Sequence, residues 1–285
     1  MEELMDTGLR NKVVLITGAS GGIGRAAAQA FVDEGARLVL HGNRQIDELK
    51  AVVAQACWDD TLCVRFDVAD RKAVFAGFET ARERFGRIDV CVANAGIWPP
   101  ESTPFHRMDA KRLQSTLEVN LLGATWTAQA FMAQLAAAGP RPDGHGASLL
   151  FTGSTAARFG ERDHVDYSIA KAGIYGLVRT LKNEIVRLDP YGRVNLVEPG
   201  WTVTHKARPA LAQDDVVTHV TQTMGLRQLG RAKDIAQTMV FLSSPLLSRH
   251  ISGETLTVSG GMEGRLLWNS EEIDPDAIRR RIHEE

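Results

Sequence analysis

The chain is 285 residues long, 44% hydrophobic and 24% charged, with a formal net charge of −2. That length and apolar content suffice for one large α/β core, and a balanced charge without a long basic or acidic block argues against a nucleic-acid surface. No segment approaches the ~18 uninterrupted apolar residues of a membrane span. The N-terminal "MEELMDTGLRNK" has no apolar signal stretch, and Cys57, Cys63 and Cys91 lack paired spacing, so the expectation is a reduced, cytoplasmic protein that engages neither nucleic acid nor membrane.

Short apolar runs alternate with helical stretches in chain order. "KVVLIT" (12–17) leads through a glycine cluster into "GRAAAQAFVDEG" (24–35), followed by "RLVLHG" (37–42), "IDELKAVVAQA" (46–56), "LCVRFDV" (62–68), "RKAVFAGFETARERFG" (71–86) and "IDVCVANAG" (88–96). Further on come one helical stretch over 114–138, the strand "SLLFTGS" (148–154), a helix over 167–188, the strand "RVNLVEPG" (193–200) and a last strand "ETLTVSG" (254–260). Repeated β-α-β predicts a single-domain α/β fold, a doubly wound parallel sheet of Rossmann type with helices on both faces and right-handed crossovers. "GPRPDGHG" (139–146) reads as a surface connection, and "WTVTHKARPALAQDDVVTHVTQTMGLRQLG" (201–230) as a loop.

In such a sheet ligands bind beyond the carboxyl ends of the strands. "TGASGGIGRA" (17–26) follows a strand and opens a helix, so it is either a packing turn or a cradle in which helix-start N–H groups meet a phosphate. Tyr167 and Lys171 are four residues apart and share one helix face, and Ser154 ends a strand thirteen residues before Tyr167. Alone, each is commonplace; a Y-x-x-x-K often sits on a solvated helix, and a serine after a strand is often a cap.

As an ordered set these residues resemble the classical branch of the short-chain dehydrogenase/reductase family over residues 10 to 263, which sets an extension, 264–285, apart from the catalytic domain, 1–263. "TGASGGIG" is similar to the family's cofactor loop, "NAG" (94–96) to its sheet-stabilising motif, and Asn120, Ser154, Tyr167 and Lys171 to its catalytic tetrad. "EPG" and "SGGM" match two further landmarks, although Glu198 stands where a small residue is usual. The resemblance implies a homotetramer that uses a nicotinamide cofactor and no metal. It places cofactor contacts at Gly18, Ser20, Gly22, Ile23, Gly24, Asn43, Arg44, Asp67, Val68, Asn94, Ala95, Gly96, Tyr167, Lys171, Pro199, Gly200, Thr202 and Thr204.

It also implies roles. Tyr167 is the proton donor to a carbonyl; Lys171 favours the phenolate and bonds the cofactor ribose; Ser154 holds the substrate oxygen; Asn120 anchors a relay water; Asp67 serves the adenine. At the end of the second strand Gly42, Asn43 and Arg44 replace the Asp usual in NAD-preferring members. A guanidinium there suits a 2′-phosphate, so NADP(H) is favoured over NAD(H), unless Arg44 is merely solvated.

The pocket is expected from Trp98, Ser154, His164, Trp201 and His205, with Arg158, Lys206 and Arg208 adding charge that would suit a small polar or anionic substrate. Three readings stay open: a reductase of a small polar ketone or the reverse dehydrogenase of a sugar-like alcohol, a 3-oxoacyl-carrier-protein reductase, and a cofactor-sensing protein without turnover. In the extension, "DPDAIRRRI" reads as a capped helix, and Leu266, Leu267 and Trp268 suggest docking on a neighbouring subunit.

Overall fold

Alternate residues of each inner strand feed two different cores. In β1 (Val13–Ile16), Val13 and Leu15 join one apolar cluster while Val14 and Ile16 join another on the opposite face, and Val39 of β2 (Arg37–Gly42) parts in the same way from Leu38 and Leu40. A strand apolar on both sides must be covered on both sides, which a parallel sheet between two helix layers achieves.

The computed structural model describes residues 6–283, without the side chains of Lys206 and His283. Besides those two strands it has α1 (Gly22–Asp33), α2 (Ile46–Gln55), β3 (Thr61–Arg65), α3 (Arg71–Phe85), β4 (Val90–Ala93), α4 (Ala110–Leu117), α5 (Gly123–Ala138), β5 (Ser148–Thr152), α6 (Thr155–Phe159) and α7 (Val165–Glu184). There follow β6 (Arg193–Pro199), the short β7 (Thr202–Val203), α8 (Arg208–Leu211), α9 (Asp214–Gln222), β8 (Gly230–Arg231), α10 (Ala232–Ser243), β9 (Thr255–Val258) and α11 (Pro275–His283).

Seven strands form one parallel sheet in the order β3-β2-β1-β4-β5-β6-β9, as expected. The strand order reverses between β1 and β4, and the crevice at that switch is where a dinucleotide fits. No described helix is long and apolar enough to cross a membrane.

Three local features differ from the sequence expectation. The helical stretch over 114–138 is broken by a π-helical turn at Glu118–Leu122, with Asn120 inside it. Single π turns are invisible to a 3.6-residue pattern but recur at functional sites. The segment after Gly200 is not a plain loop: it forms α8 and α9, and β7 pairs with β8.

The third difference is the extension. Asp274 caps α11 by accepting from the N–H groups of Asp276 and Ala277, at 3.0 Å each, as its Asp-Pro start predicts. Trp268, however, is turned into its own chain. Its indole Nε1 donates to Met224 O at 2.7 Å, Arg227 covers the ring at 4.4 Å, and Ile273 and Ile278 are buried with Val217, Met224 and Leu229. Leu267 is half-buried and Leu266 is 63% exposed. Of the three side chains expected to dock on a neighbouring subunit, Trp268 is thus taken up within its own chain.

Candidate active site

The glycine loop is shaped by contacts that leave no room for side chains. Gly18 has φ +68°, and a Cβ there would stand 2.8 Å from Ala95 Cα; at Gly24 it would stand 2.3 Å from Gly18 O. Gly21 caps α1 without a side-chain hydrogen bond, and the first turn carries no acidic residue. The helix-start N–H groups and their partial positive charge therefore face the crevice, which fits a diphosphate.

The loop is tied to the strands beside it. Thr17 Oγ1 accepts from Asn94 N and Ala95 N, both at 3.0 Å; Asn94 Nδ2 donates to Thr17 O at 3.0 Å, and its Oδ1 accepts from Thr152 Oγ1 at 3.2 Å. Thr204 packs so close to Gly22 that a Cβ there would lie 2.7 Å from Thr204 Cβ, and Thr202 Oγ1 donates to Gly200 O at 2.9 Å. Asn43 and Arg44 are exposed at the end of β2, and Arg44 forms no ion pair among the described residues. Asp67 is exposed and accepts from Ala69 N at 2.9 Å, while Val68 is buried against Gly123. Ser20, Ile23, Ala95 and Pro199 complete the edge of the same crevice, where β1, β4 and β6 end.

One residue the sequence reading missed sits beneath this loop. His41 in β2 is 2% exposed; its Nδ1 accepts from Gly18 N at 3.1 Å, so Nε2 carries the proton and donates to Phe66 O at 2.9 Å. Burial brings its pKa down to about 4. A histidine in an otherwise apolar strand was the available signal.

Tyr167 and Lys171 lie on the first turns of α7 and meet the end of β5. Lys171 Nζ donates to Thr152 O at 2.8 Å and lies 5.8 Å from the Tyr167 ring centre; burial lowers its pKa to about 8. Burial raises the Tyr167 pKa, with a smaller opposing effect from a hydrogen bond with Ser154. Ser154 is the N-cap of α6, its Oγ accepting from Ala156 N at 3.2 Å. Asn120 is fully buried: Oδ1 accepts from Ile97 N and Nδ2 donates to Ile97 O, both at 2.9 Å. Gly96 lets these groups converge, since a Cβ there would stand 2.5 Å from Asn120 Oδ1 and 3.5 Å from Lys171 Nζ. All four tetrad positions thus gather at one edge.

The pocket expectations fare unevenly. Trp98 lies edge-on to Tyr167 at 4.8 Å and tilted against His164 at 4.2 Å. His164 is buried, and burial together with the Arg112 charge lowers its pKa, so it is a neutral backing residue and not a cation. Arg158 pairs with the fully buried Glu198 at 3.0 Å. Glu198 also accepts from Thr257 Oγ1 at 3.0 Å and from the Tyr175 hydroxyl, which explains how a carboxylate occupies a position where a small residue is usual. Trp201 packs on the cluster under α9, while His205 and Arg208 are exposed; the Lys206 side chain lies outside the described residues. Of the expected charges, His164 is thus neutral and Arg158 paired, while His205 and Arg208 stand exposed. Arg112, which sequence gave no reason to single out, pairs with the buried Asp166 at 3.0 Å and also donates to Thr103 Oγ1 at 2.6 Å and Asp163 O at 3.3 Å. Its partners lie up to 54 residues away in the chain.

A doubly wound parallel sheet with a glycine loop at its switch point defines a dinucleotide-binding α/β protein. Comparison then narrows the class. The family model described as enoyl-(acyl carrier protein) reductase matches residues 18–263. An L-rhamnose 1-dehydrogenase (NAD(P)(+)) of Sphingomonas sp. is 34% identical over 257 residues, covering 89% of this chain and 97% of the relative. A 3-oxoacyl-[acyl-carrier-protein] reductase of Synechocystis sp. is 30% identical, covering 90% and 98%. A crystal structure titled short-chain dehydrogenase/reductase, glucose/ribitol dehydrogenase, from Brucella melitensis superposes with a TM-score of 0.79 at 30% identity, covering 91% of this chain and 99% of its own. The chain belongs to the short-chain dehydrogenase/reductase family, in its classical branch, and is an oxidoreductase.

Proposed function

We propose that this protein interconverts a ketone and a secondary alcohol on a small, neutral, sugar-like substrate, with NADP(H) preferred over NAD(H). The observation that carries the reading is the convergence of Ser154, Tyr167 and Lys171 at the carboxyl end of β5, beside the glycine loop.

The nicotinamide, when bound, gives or takes the hydride. The rest falls to the chain. In reduction the Tyr167 hydroxyl donates its proton to the carbonyl oxygen, and Ser154 Oγ holds that oxygen by a hydrogen bond. The raised Tyr167 pKa keeps the phenol protonated at neutral pH, as an acid requires. In oxidation Tyr167 must act as phenolate. Lys171, still largely an ammonium at neutral pH and 5.8 Å from the ring, stabilises that anion. Asn120, fixed in the π turn and tied to Ile97, holds the place for a relay water that returns protons to Lys171. Arg44 at the mouth of the crevice suits a 2′-phosphate.

The lowered His164 pKa and the pairing of Arg158 support an uncharged polar substrate over an anionic one, and the rhamnose-oxidising relative points the same way. The acyl-carrier-protein reductase relative supports the second reading, a 3-oxoacyl thioester reductase. A sensing protein without turnover is disfavoured by the intact tetrad. Assembly as a homotetramer belongs to the same proposal and is checked by light scattering. The deciding assay is a panel of sugars, ketones and acyl thioesters with both cofactors: turnover of thioesters alone would replace the first reading with the second, and no turnover of any member would reject both.

A further inference from the structure

Trp98 is 49% exposed, although the neighbouring Pro99 is buried. Its indole lies against His164 with a tilt of 32° and meets Tyr167 at 73°, so a half-exposed aromatic ring stands beside the phenol. A large aromatic surface half in water forgoes much of its burial energy unless a ligand covers it.

The indole is held in place by a brace. Arg112 donates to Glu101 O and Thr103 Oγ1 on the segment that follows Trp98, and to Asp163 O, His164 Nδ1 and Asp166 on the segment that leads into Tyr167. Thr116 Oγ1 donates to Asp166 at 2.9 Å, and Thr103 N donates to Asp163 O at 3.1 Å, closing the two segments on each other. Arg112, the guanidinium in this frame, is itself paired with Asp166.

An exposed, electron-rich ring attracts polarised C–H groups and repels carboxylates. A saturated hydroxylated ring presents such groups on one face and hydroxyls at its rim. We infer that Trp98 is a substrate platform that takes the C–H face of a neutral, pyranose-like ring and sets a ring alcohol beside Tyr167, with Arg112 as the positioning residue that holds the platform. This rests on the proposal that Ser154 and Tyr167 form the reacting site.

The test compares pyranoses with open-chain alditols of matched hydroxyl count, using NADP+ and the full chain. Trp98→Ala raises the pyranose KM by ~10-fold with kcat nearly kept, and leaves the alditol KM unchanged; Trp98→Phe keeps most of the pyranose affinity. Arg112→Met repeats the KM effect of Trp98→Ala, and Arg112→Lys restores part of it. Equal effects on ring and open-chain substrates, or a loss in kcat with KM unchanged, overturn the platform. If the parent turns over neither class, the sugar reading of the reaction fails, and saturation-transfer NMR with methyl pyranosides decides the platform alone. Ring C–H saturation in the parent that is lost in Trp98→Ala sustains it, and no saturation in the parent overturns it.

Discussion

The imidazole of His41 accepts a hydrogen bond from the backbone N–H of Gly18 at 3.1 Å, so the second strand of the sheet holds the first glycine of the glycine loop. The bond exists only while His41 Nδ1 is unprotonated. The folded-state pKa is depressed to about 4 from 6.5, so on acidification the unfolded chain takes up the proton first. Stability from this group is therefore complete above pH 6.5 and is lost as pH falls towards 4, by about 3 kcal/mol in all. Urea unfolding at pH 7 and pH 4.5 should show that loss in the parent and a smaller one in His41→Gln. A His41→Phe variant, which keeps the stacking on Phe66 but leaves Gly18 N–H unpaired, should bind cofactor ~10-fold more weakly, read by cofactor fluorescence.

Removing the acid tests the proton donor. Tyr167→Phe keeps the ring and its contact with Trp98, so cofactor affinity should persist while turnover drops by ~2 orders of magnitude or more. Turnover near the parent level on a verified substrate would assign the proton to another group.

The two pKa shifts in the site set its pH profile. Burial raises Tyr167, so ketone reduction, which needs the phenol, should stay level through neutral pH, while alcohol oxidation, which needs the phenolate, should climb with pH. Burial lowers Lys171 from 10.5 to about 8, so the folded chain releases this proton before the unfolded one does. Its contribution to stability therefore rises with pH between about 8 and 10.5, and it weighs against folding most heavily below 8. Lys171→Met should flatten that rise and push the oxidation limb to higher pH; an oxidation limb that stays in place would remove Lys171 from the phenolate's support.

Arg44 reports on the cofactor without any knowledge of the substrate. Arg44→Ala should weaken NADPH by ~1.5 to 3 kcal/mol and leave NADH nearly unchanged, as expected for one charge-assisted bond to a phosphate. Adding Gly42→Asp should reverse the preference, and the site has room, because a Cβ at Gly42 meets Ile46 Cα no closer than 3.4 Å. Tighter NADH binding by the parent, or equal losses for both cofactors, would end the NADP(H) reading.

The extension is expected to act inside its own chain. Ile278, 2% exposed, packs under α9, and Arg279 bonds Leu211 O at 2.9 Å and pairs with Asp214. Ile278→Ala should cost about 2 to 4 kcal/mol, and ending the chain after Met262 should expose residues 201–229 to proteolysis without changing oligomer size. A smaller oligomer would return the extension to an intersubunit role.

Much of this protein is legible along the chain because its signals are local. Continuous apolar runs such as Val13–Ile16 announce strands buried on both faces, glycines at 18, 22 and 24 mark where backbone must approach backbone, and the four-residue step from Tyr167 to Lys171 puts both side chains on one helix face. The parallel sheet follows from these, while the gathering of Asn120 and Ser154 with Tyr167 and Lys171 was implied by the family resemblance.

What only the tertiary structure decided depends on groups far apart in sequence. Whether His164 carries charge was settled by burial and by Arg112, 52 residues away; the partner of Arg158 was set by Glu198 on β6; and the acceptor of the Trp268 indole was set by Met224, 44 residues back. A residue type states what a side chain is able to bond. Its charge and its partner are set by the desolvation and proximity that packing imposes, and neither is encoded in any local stretch of the chain.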